Sequence, residues 1–105
     1  MSEIHKLKCA RALVRPDRRE QYLERWRRYA EAVMAAGGKA TLYEDQVLPG
    51  RFLELTEHVA AAGMESKLDV AFGESGLRGV CVRREGDEIV YRKDESRAPR
   101  GRAEE

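Results

Sequence analysis

Ile4-His5-Lys6-Leu7-Lys8-Cys9-Ala10-Arg11-Ala12-Leu13-Val14 is the stretch that decides how the chain folds. In an extended strand successive side chains point to opposite faces. Leu7, Cys9, Arg11 and Leu13 therefore share one face, and Lys8, Ala10, Ala12 and Val14 the other. Apolar residues on both faces suit a central strand with a neighbour on each side. Arg11 is the unusual member, because an arginine on a central strand needs a carboxylate, either internal or from a ligand.

Working outward, Pro16-Asp17-Arg18-Arg19-Glu20 reads as a helix start, with Asp17 and Glu20 spaced as in a capping box. Tyr22, Trp26, Tyr29, Ala30 and Val33 then recur at helical spacing, until Gly37-Gly38 ends the helix. Residues 40–47 form a second strand, Leu48-Pro49-Gly50 a turn, and residues 51–57 a third strand that completes a hairpin. Residues 60–72 read as a second helix, with Met64, Leu68, Ala71 and Phe72 at core spacing. Gly63 is an awkward interior residue there, and Gly73 a suitable end. Residues 77–84 are a fourth strand, Gly86-Asp87 a tight turn, and residues 88–93 a fifth strand.

The order β-α-β-β-α-β plus a terminal strand predicts an α+β, ferredoxin-like domain over residues 1–93. It has one antiparallel sheet, both helices on a single side, and the first strand between the third and the fourth. Residues 94–105 have almost no apolar content and read as a disordered tail. Because Arg11 does not belong under helices, Ala10, Ala12 and Val14 are expected to face them, with Leu53 and Leu55 beneath. That assigns Phe52, Glu54, Thr56, His58 and Tyr43 to the far face, beside Leu7, Cys9, Arg11 and Leu13. A mixed face of this kind calls for a cover, and a second copy packed on it leaves a cavity lined by its polar members.

Composition narrows the function classes. A chain of 105 residues holds one core, and small size makes dimerisation useful for stability. Net charge is +1 and charged residues of both signs are interleaved, which gives no reason to expect nucleic acid or an anionic membrane. An RNA-binding sheet needs exposed aromatics on its central strands, and here those strands offer Phe52 alone. No apolar run approaches the length of a membrane span, and the first eight residues lack a signal-peptide core. Two cysteines do not make a disulfide framework, so a cytoplasmic location is expected. Alternation allows Cys9 and Cys81 to share a face, although two buried thiols are the better reading. Two histidines and two cysteines, scattered, give no metal-ligand spacing. There is no phosphate loop, nucleophile elbow or dinucleotide fingerprint, and no metal or cofactor is expected.

The run Val14-Arg15-Pro16-Asp17-Arg18-Arg19-Glu20-Gln21-Tyr22-Leu23-Glu24-Arg25-Trp26, then Gly37-Gly38, Leu42-Tyr43-Glu44-Asp45 and Pro49-Gly50-Arg51-Phe52-Leu53-Glu54-Leu55-Thr56-Glu57-His58, resembles the dimeric α/β-barrel superfamily. The nearest pattern within it is the antibiotic biosynthesis monooxygenase-like group, over roughly the first two-thirds of the chain. The resemblance implies a homodimer with a sheet-lined cavity in each subunit. Some members oxygenate aromatic substrates without metal or flavin, and others bind and degrade haem. The haem-degrading pattern of asparagine, tryptophan and histidine on the second helix is not met. The chain has no asparagine, Trp26 falls on the first helix, and no histidine lies between Val59 and Phe72.

Each candidate site residue has a functional and a structural reading. His58, with an ordinary pKa near neutrality, is a candidate base or else a helix cap. Glu54 is a candidate proton carrier, or the ion-pair partner of Arg11. Arg11 suits an anionic or enolate oxygen, Tyr43 a substrate carbonyl, and Phe52 the apolar wall of a substrate site. Trp26, Tyr22 and Tyr29 read as helix core. The expected function is a homodimeric, enzyme-like protein acting on a small apolar or aromatic carbonyl compound by cofactor-independent oxygenation or isomerisation. The alternatives are a non-catalytic ligand-binding or regulatory dimer, or a dry structural dimer.

Overall fold

Strand β1 (Ile4–Leu13) is paired along its whole length on both sides, antiparallel to β3 (Arg51–Val59) and to β4 (Arg83–Arg92). Strand β2 (Lys39–Glu44) adds to the outer side of β3, giving the order β2-β3-β1-β4. Helices α1 (Arg19–Ala35) and α2 (Met64–Ser75) complete the α+β, ferredoxin-like arrangement in this computed structural model. It describes residues 4–61 and 63–92, with 87–92 as backbone alone.

The core lies between the sheet and the helices. Tyr22, Trp26, Tyr29, Ala30 and Val33 form the buried stripe of α1, at the spacing that brings one helix face to the sheet. Leu68 of α2 and Phe52, Ala12 and Val14 of the sheet side meet them. Tyr29 sets its ring edge-on to Trp26 and to Phe72, with centroids 6.0 and 5.2 Å apart. Ala10, Ala12 and Val14 face the helices as expected.

The third strand has the opposite parity to the one expected. In an antiparallel pair, directly opposed residues project from the same face. Ala10 is opposite Glu54, Ala12 opposite Phe52, and Lys6 opposite His58. Phe52, Glu54, Thr56 and His58 therefore point toward the helices and are buried there, while Leu53 and Leu55 join Arg11 on the open face. The reason is charge compensation: on the helix side Glu54 accepts from the Tyr22 hydroxyl and the Arg84 guanidinium, and Ala10 and Ala12 opposite β3 and β4 leave those side chains room.

Three other expectations are corrected. Residues 16–18 form a 3-10 turn before α1, and its cap, Arg18, makes no side-chain capping bond, so the Asp17–Glu20 capping box does not form. Asp17 instead pairs with Arg15 at 3.4 Å. Helix α2 starts after Gly63 and stops before Gly76, both left-handed, and Gly73 lies inside it. Residues 77–80 curl into a 3-10 turn that buries Leu77 and Val80, and β4 then runs unbroken through Gly86-Asp87. The separate fourth and fifth strands merge because alternate residues of β1 direct their N–H and C=O groups at β4 along its whole length, and an unbroken β4 meets them. The expected tail at 94–105 lies outside the described residues.

Glycine is required at 50, where φ is +93° and a Cβ would meet the Val14 carbonyl oxygen at 2.5 Å. The same junction carries the Val14 N–H to Gly50 carbonyl bond of 2.7 Å. Gly50→Ala is expected to lower unfolding free energy by roughly 1–3 kcal/mol. Gly73, exposed within α2 with open space around it, behaves oppositely. Gly73→Ala is expected to raise stability by about 0.5–1 kcal/mol. Urea denaturation of both variants checks the pair, and equal shifts of one sign would contradict it.

Candidate functional site

The two faces of the sheet carry different chemistry. On the helix side Glu54 is 2 % exposed and fully engaged. The Tyr22 hydroxyl donates to its Oε2 at 2.6 Å, and the Arg84 Nε and Nη2 donate to Oε1 at 3.1 and 2.7 Å. The register places Arg84 opposite Ala12, where the alanine leaves it room, and its guanidinium lies over the Phe72 ring at 4.5 Å. Burial, together with the negative charge of Glu54, lifts the Tyr22 phenol far above its ordinary range. Burial also raises the Tyr29 phenol, against the pull of the Thr56 hydroxyl. The Cys81 thiol is pushed up to about 11 by burial and by Glu54. Tyr22, Glu54 and Arg84 thus form a closed, charge-balanced cluster inside the core.

His58 lies further along the same face, its side chain buried, with Nε2 3.8 Å from Glu65 Oε1 of α2. Lys6 pairs with Glu65, and Lys8 reaches Glu65 at 3.5 Å and Asp69 at 3.9 Å. These contacts tie α2 to β1 and β3. His5, on the open face, pairs with Glu57 at 3.1 Å.

The open face holds a groove of about 590 Å³ across the β2–β3–β1–β4 sheet. Arg11, Leu13, Tyr43, Leu53, Arg83 and Glu85 line it, with Glu44, Asp45 and Arg51 at the hairpin end. Arg11 is opposite Leu53 on one side and Glu85 on the other, and Tyr43 is opposite Leu53. Leu13 and Tyr43 are 39 % and 55 % exposed, which makes this an apolar floor with charged walls.

Two of the wall carboxylates are already committed. Glu44 accepts from Arg19 at 2.7 and 3.2 Å and from the Gly50 N–H at 3.2 Å, and those bonds hold it below the ordinary carboxylate range. Asp45 accepts from the N–H groups of Val47 and Leu48 at 2.7 and 3.0 Å and is lowered for that reason.

Of the five residues proposed from the sequence, Arg11 and Tyr43 come together in the groove, and Phe52, Glu54 and His58 do not. Phe52 borders the groove, but its ring lies 4.5 Å from that of Tyr22 on the other side. The partner of Glu54 is Arg84, not Arg11. Cys9 faces the open side while Cys81 follows the 3-10 turn, and both are free thiols. Glu85 and Arg84 were missed, and the false break at Gly86 hid both. Had residues 83–92 been read as one strand against β1, alternation would have assigned Glu85 to Arg11 and Arg84 to the core. Among the described residues no group of histidine, cysteine, aspartate or glutamate is arranged to hold a metal ion. No described helix is long and apolar enough to cross a membrane.

An antiparallel β2-β3-β1-β4 sheet backed on one side by two helices is a ferredoxin-like fold, and in this form it is that of the antibiotic biosynthesis monooxygenase-like proteins. The "Putative antibiotic biosynthesis monooxygenase from Nitrosomonas europaea" matches with a TM-score of 0.68 over 90% of this chain and 94% of its own, at 12% identity. A conserved protein from Methanosarcina mazei Go1 matches at 0.67 over 88% and 95%, with 16% identity. A conserved protein of unknown function from Bacteroides thetaiotaomicron VPI-5482, described as a "Possible Oxidoreductase", matches at 0.69 over 87% and 100%, with 10% identity. No family model and no curated protein matches the sequence.

Two predictions follow from this geometry. Glu54→Ala strands a buried hydroxyl and a buried guanidinium, and is expected to cost about 3 kcal/mol or more. Tyr22→Phe removes one bond to a charged group, at about 1.5–3 kcal/mol. An unchanged urea midpoint for Glu54→Ala would show that the cluster does not hold the core. For the hairpin, Glu44 and Asp45 have folded pKa values below their unfolded ones. Their stabilisation is therefore present at neutral pH and is lost as pH falls through the lowered values. Amide protection factors in residues 39–53, taken relative to intrinsic exchange at each pH, are expected to fall on acidification, with a smaller acid step in Glu44→Gln. Flat protection down to about pH 3 would contradict this.

Proposed function

We propose that the protein is a homodimeric, enzyme-like member of the monooxygenase-like fold group that binds a small aromatic or carbonyl compound in the open-face groove and forms its enolate. The observation that carries this reading is the groove itself: Arg11 and Tyr43 stand on either side of Leu53, on a face with no helix over it. Arg11 and Tyr43 bind the carbonyl oxygen and stabilise negative charge as it develops there. Glu85, across the strand pair from Arg11, accepts the proton from the adjacent carbon. Enolate formation is the step shared by isomerisation and by cofactor-independent oxygenation, so the groove serves either outcome. The second copy covers a face where Leu7, Leu53 and Leu55 are half-buried and Leu13 and Tyr43 exposed, and burial of that surface drives association. Free thiols at Cys9 and Cys81 are in keeping with a reducing, cytoplasmic setting.

A second reading, a non-catalytic binding or regulatory dimer, is favoured by one observation. Glu54 and His58, the two proton carriers expected from the sequence, face the helices rather than the groove. Exchange of the methylene protons of phenylacetone in D2O separates the two. The wild type is expected to accelerate exchange, and Glu85→Gln to lose about 100-fold or more of that acceleration while still binding. Binding without exchange would assign the groove to the regulatory reading. Sedimentation of the same wild-type sample as a monomer would remove the second copy from the proposal.

A further inference from the structure

The chain as a whole is nearly neutral at +1, but the groove is not. Arg11, Arg51 and Arg83 all line it. The register sets Arg51 and Arg83 on either side of Leu13, and Arg11 is the next residue of β1 on the same face. Neighbouring strands are about 4.8 Å apart and same-face residues along a strand about 6.8 Å, so the three side chains rise around one point of the floor. Against them stand Asp45 and Glu85, while Glu44 borders the groove from the helix side, opposite Phe52. Glu44 is spent on Arg19 and the Gly50 N–H, and Asp45 on two backbone N–H groups of its own turn. Among the described residues Arg11 and Arg83 form no ion pair, and Arg51 acts on Asp45 through its charge without a direct ion pair. Asp45 partly offsets Arg51 and Glu85 stands opposite Arg11, so the three guanidinium groups outnumber the carboxylates that face them over an apolar floor.

We infer that the ligand of this groove carries a carboxylate, and that Arg11, Arg51 and Arg83 select it over its uncharged counterpart. The inference rests on the groove being the ligand site and adds the charge of what enters it. A planar carboxylate matches the fork of a guanidinium and can bridge two of them, while an aromatic or branched body covers Leu13, Leu53 and the Tyr43 ring. A carbonyl next to that carboxylate, as in a 2-oxo acid, meets the Tyr43 hydroxyl. The apolar floor keeps the pairs partly dry, which strengthens them relative to open water.

Two probes of the same shape test this: benzoylformate and its uncharged amide, titrated against the wild-type chain by NMR. Benzoylformate is expected to bind about tenfold or more tightly than the amide, with the preference shrinking as salt is raised. Arg11→Gln, a change at an exposed position, is expected to erase most of the preference for the carboxylate over the amide, and Arg83→Gln to halve it or more. Equal wild-type affinities, or amide binding alone, would overturn the inference and leave the groove as a ligand site. A preference that survives in Arg11→Gln with Arg83→Gln combined would also overturn it, by placing the selectivity elsewhere. If neither probe perturbs the groove at millimolar concentration, the site reading falls together with the inference.

Discussion

A single carboxylate, Glu54, sits at the centre of the protein, between the hydroxyl of Tyr22 from α1 and the guanidinium of Arg84 from β4. A charge buried in that position is tolerable because both of its oxygens are occupied and its countercharge is in contact. The contacts join the first helix, the third strand and the last strand at one point. Sliding β3 by one residue would carry Glu54 to the open face, leave Tyr22 and Arg84 without their acceptor, and press Leu53 or Leu55 against them. The cluster thereby supplies a specificity that apolar packing alone does not, since Phe52 and Leu53 are both large and apolar.

Placing Phe52, Glu54, Thr56 and His58 inward has a consequence on the other surface. Leu53 and Leu55 move outward and lie beside Leu7 and Leu13, so the open face is more apolar than alternation first suggested. Arg11 stands within that face with Tyr43 nearby and Glu85 opposite. The sheet divides its labour. Its inner surface holds the chain together through a closed polar cluster and an aromatic stripe, and its outer surface carries the groove, with the His5–Glu57 pair on the same face. At the hairpin end Glu44, on the helix side, pairs with Arg19, and Asp45 spends its acceptors on the turn, so the groove keeps more arginines than free carboxylates.

Much of the fold was readable from the chain before any coordinates. The stripe Tyr22-Trp26-Tyr29-Val33 has one helical solution, Gly37 with Gly38 stops it, Pro49-Gly50 turns the hairpin, and Ala10, Ala12 and Val14 mark the packed face of the central strand. These are local signals, written in spacing and in the dihedral freedom of particular residues. Alternation also assigned Arg11 and Tyr43 to the open face, and both line the groove there.

What depended on tertiary structure was the pairing between segments. The parity of β3 turns on which residue stands opposite Ala10, and nothing within residues 51–59 states that. Glutamate looks like a surface residue until Tyr22 and Arg84, 32 positions before it and 30 after, arrive to neutralise it. Likewise Gly86-Asp87 has the composition of a turn, yet it is held extended because β1 offers an open row of peptide groups that must be met. Local sequence determined the elements and the faces of the first strand. Long-range hydrogen bonding and charge compensation, which act only once distant segments touch, decided which residues are shielded by the helices and which are left on the open face.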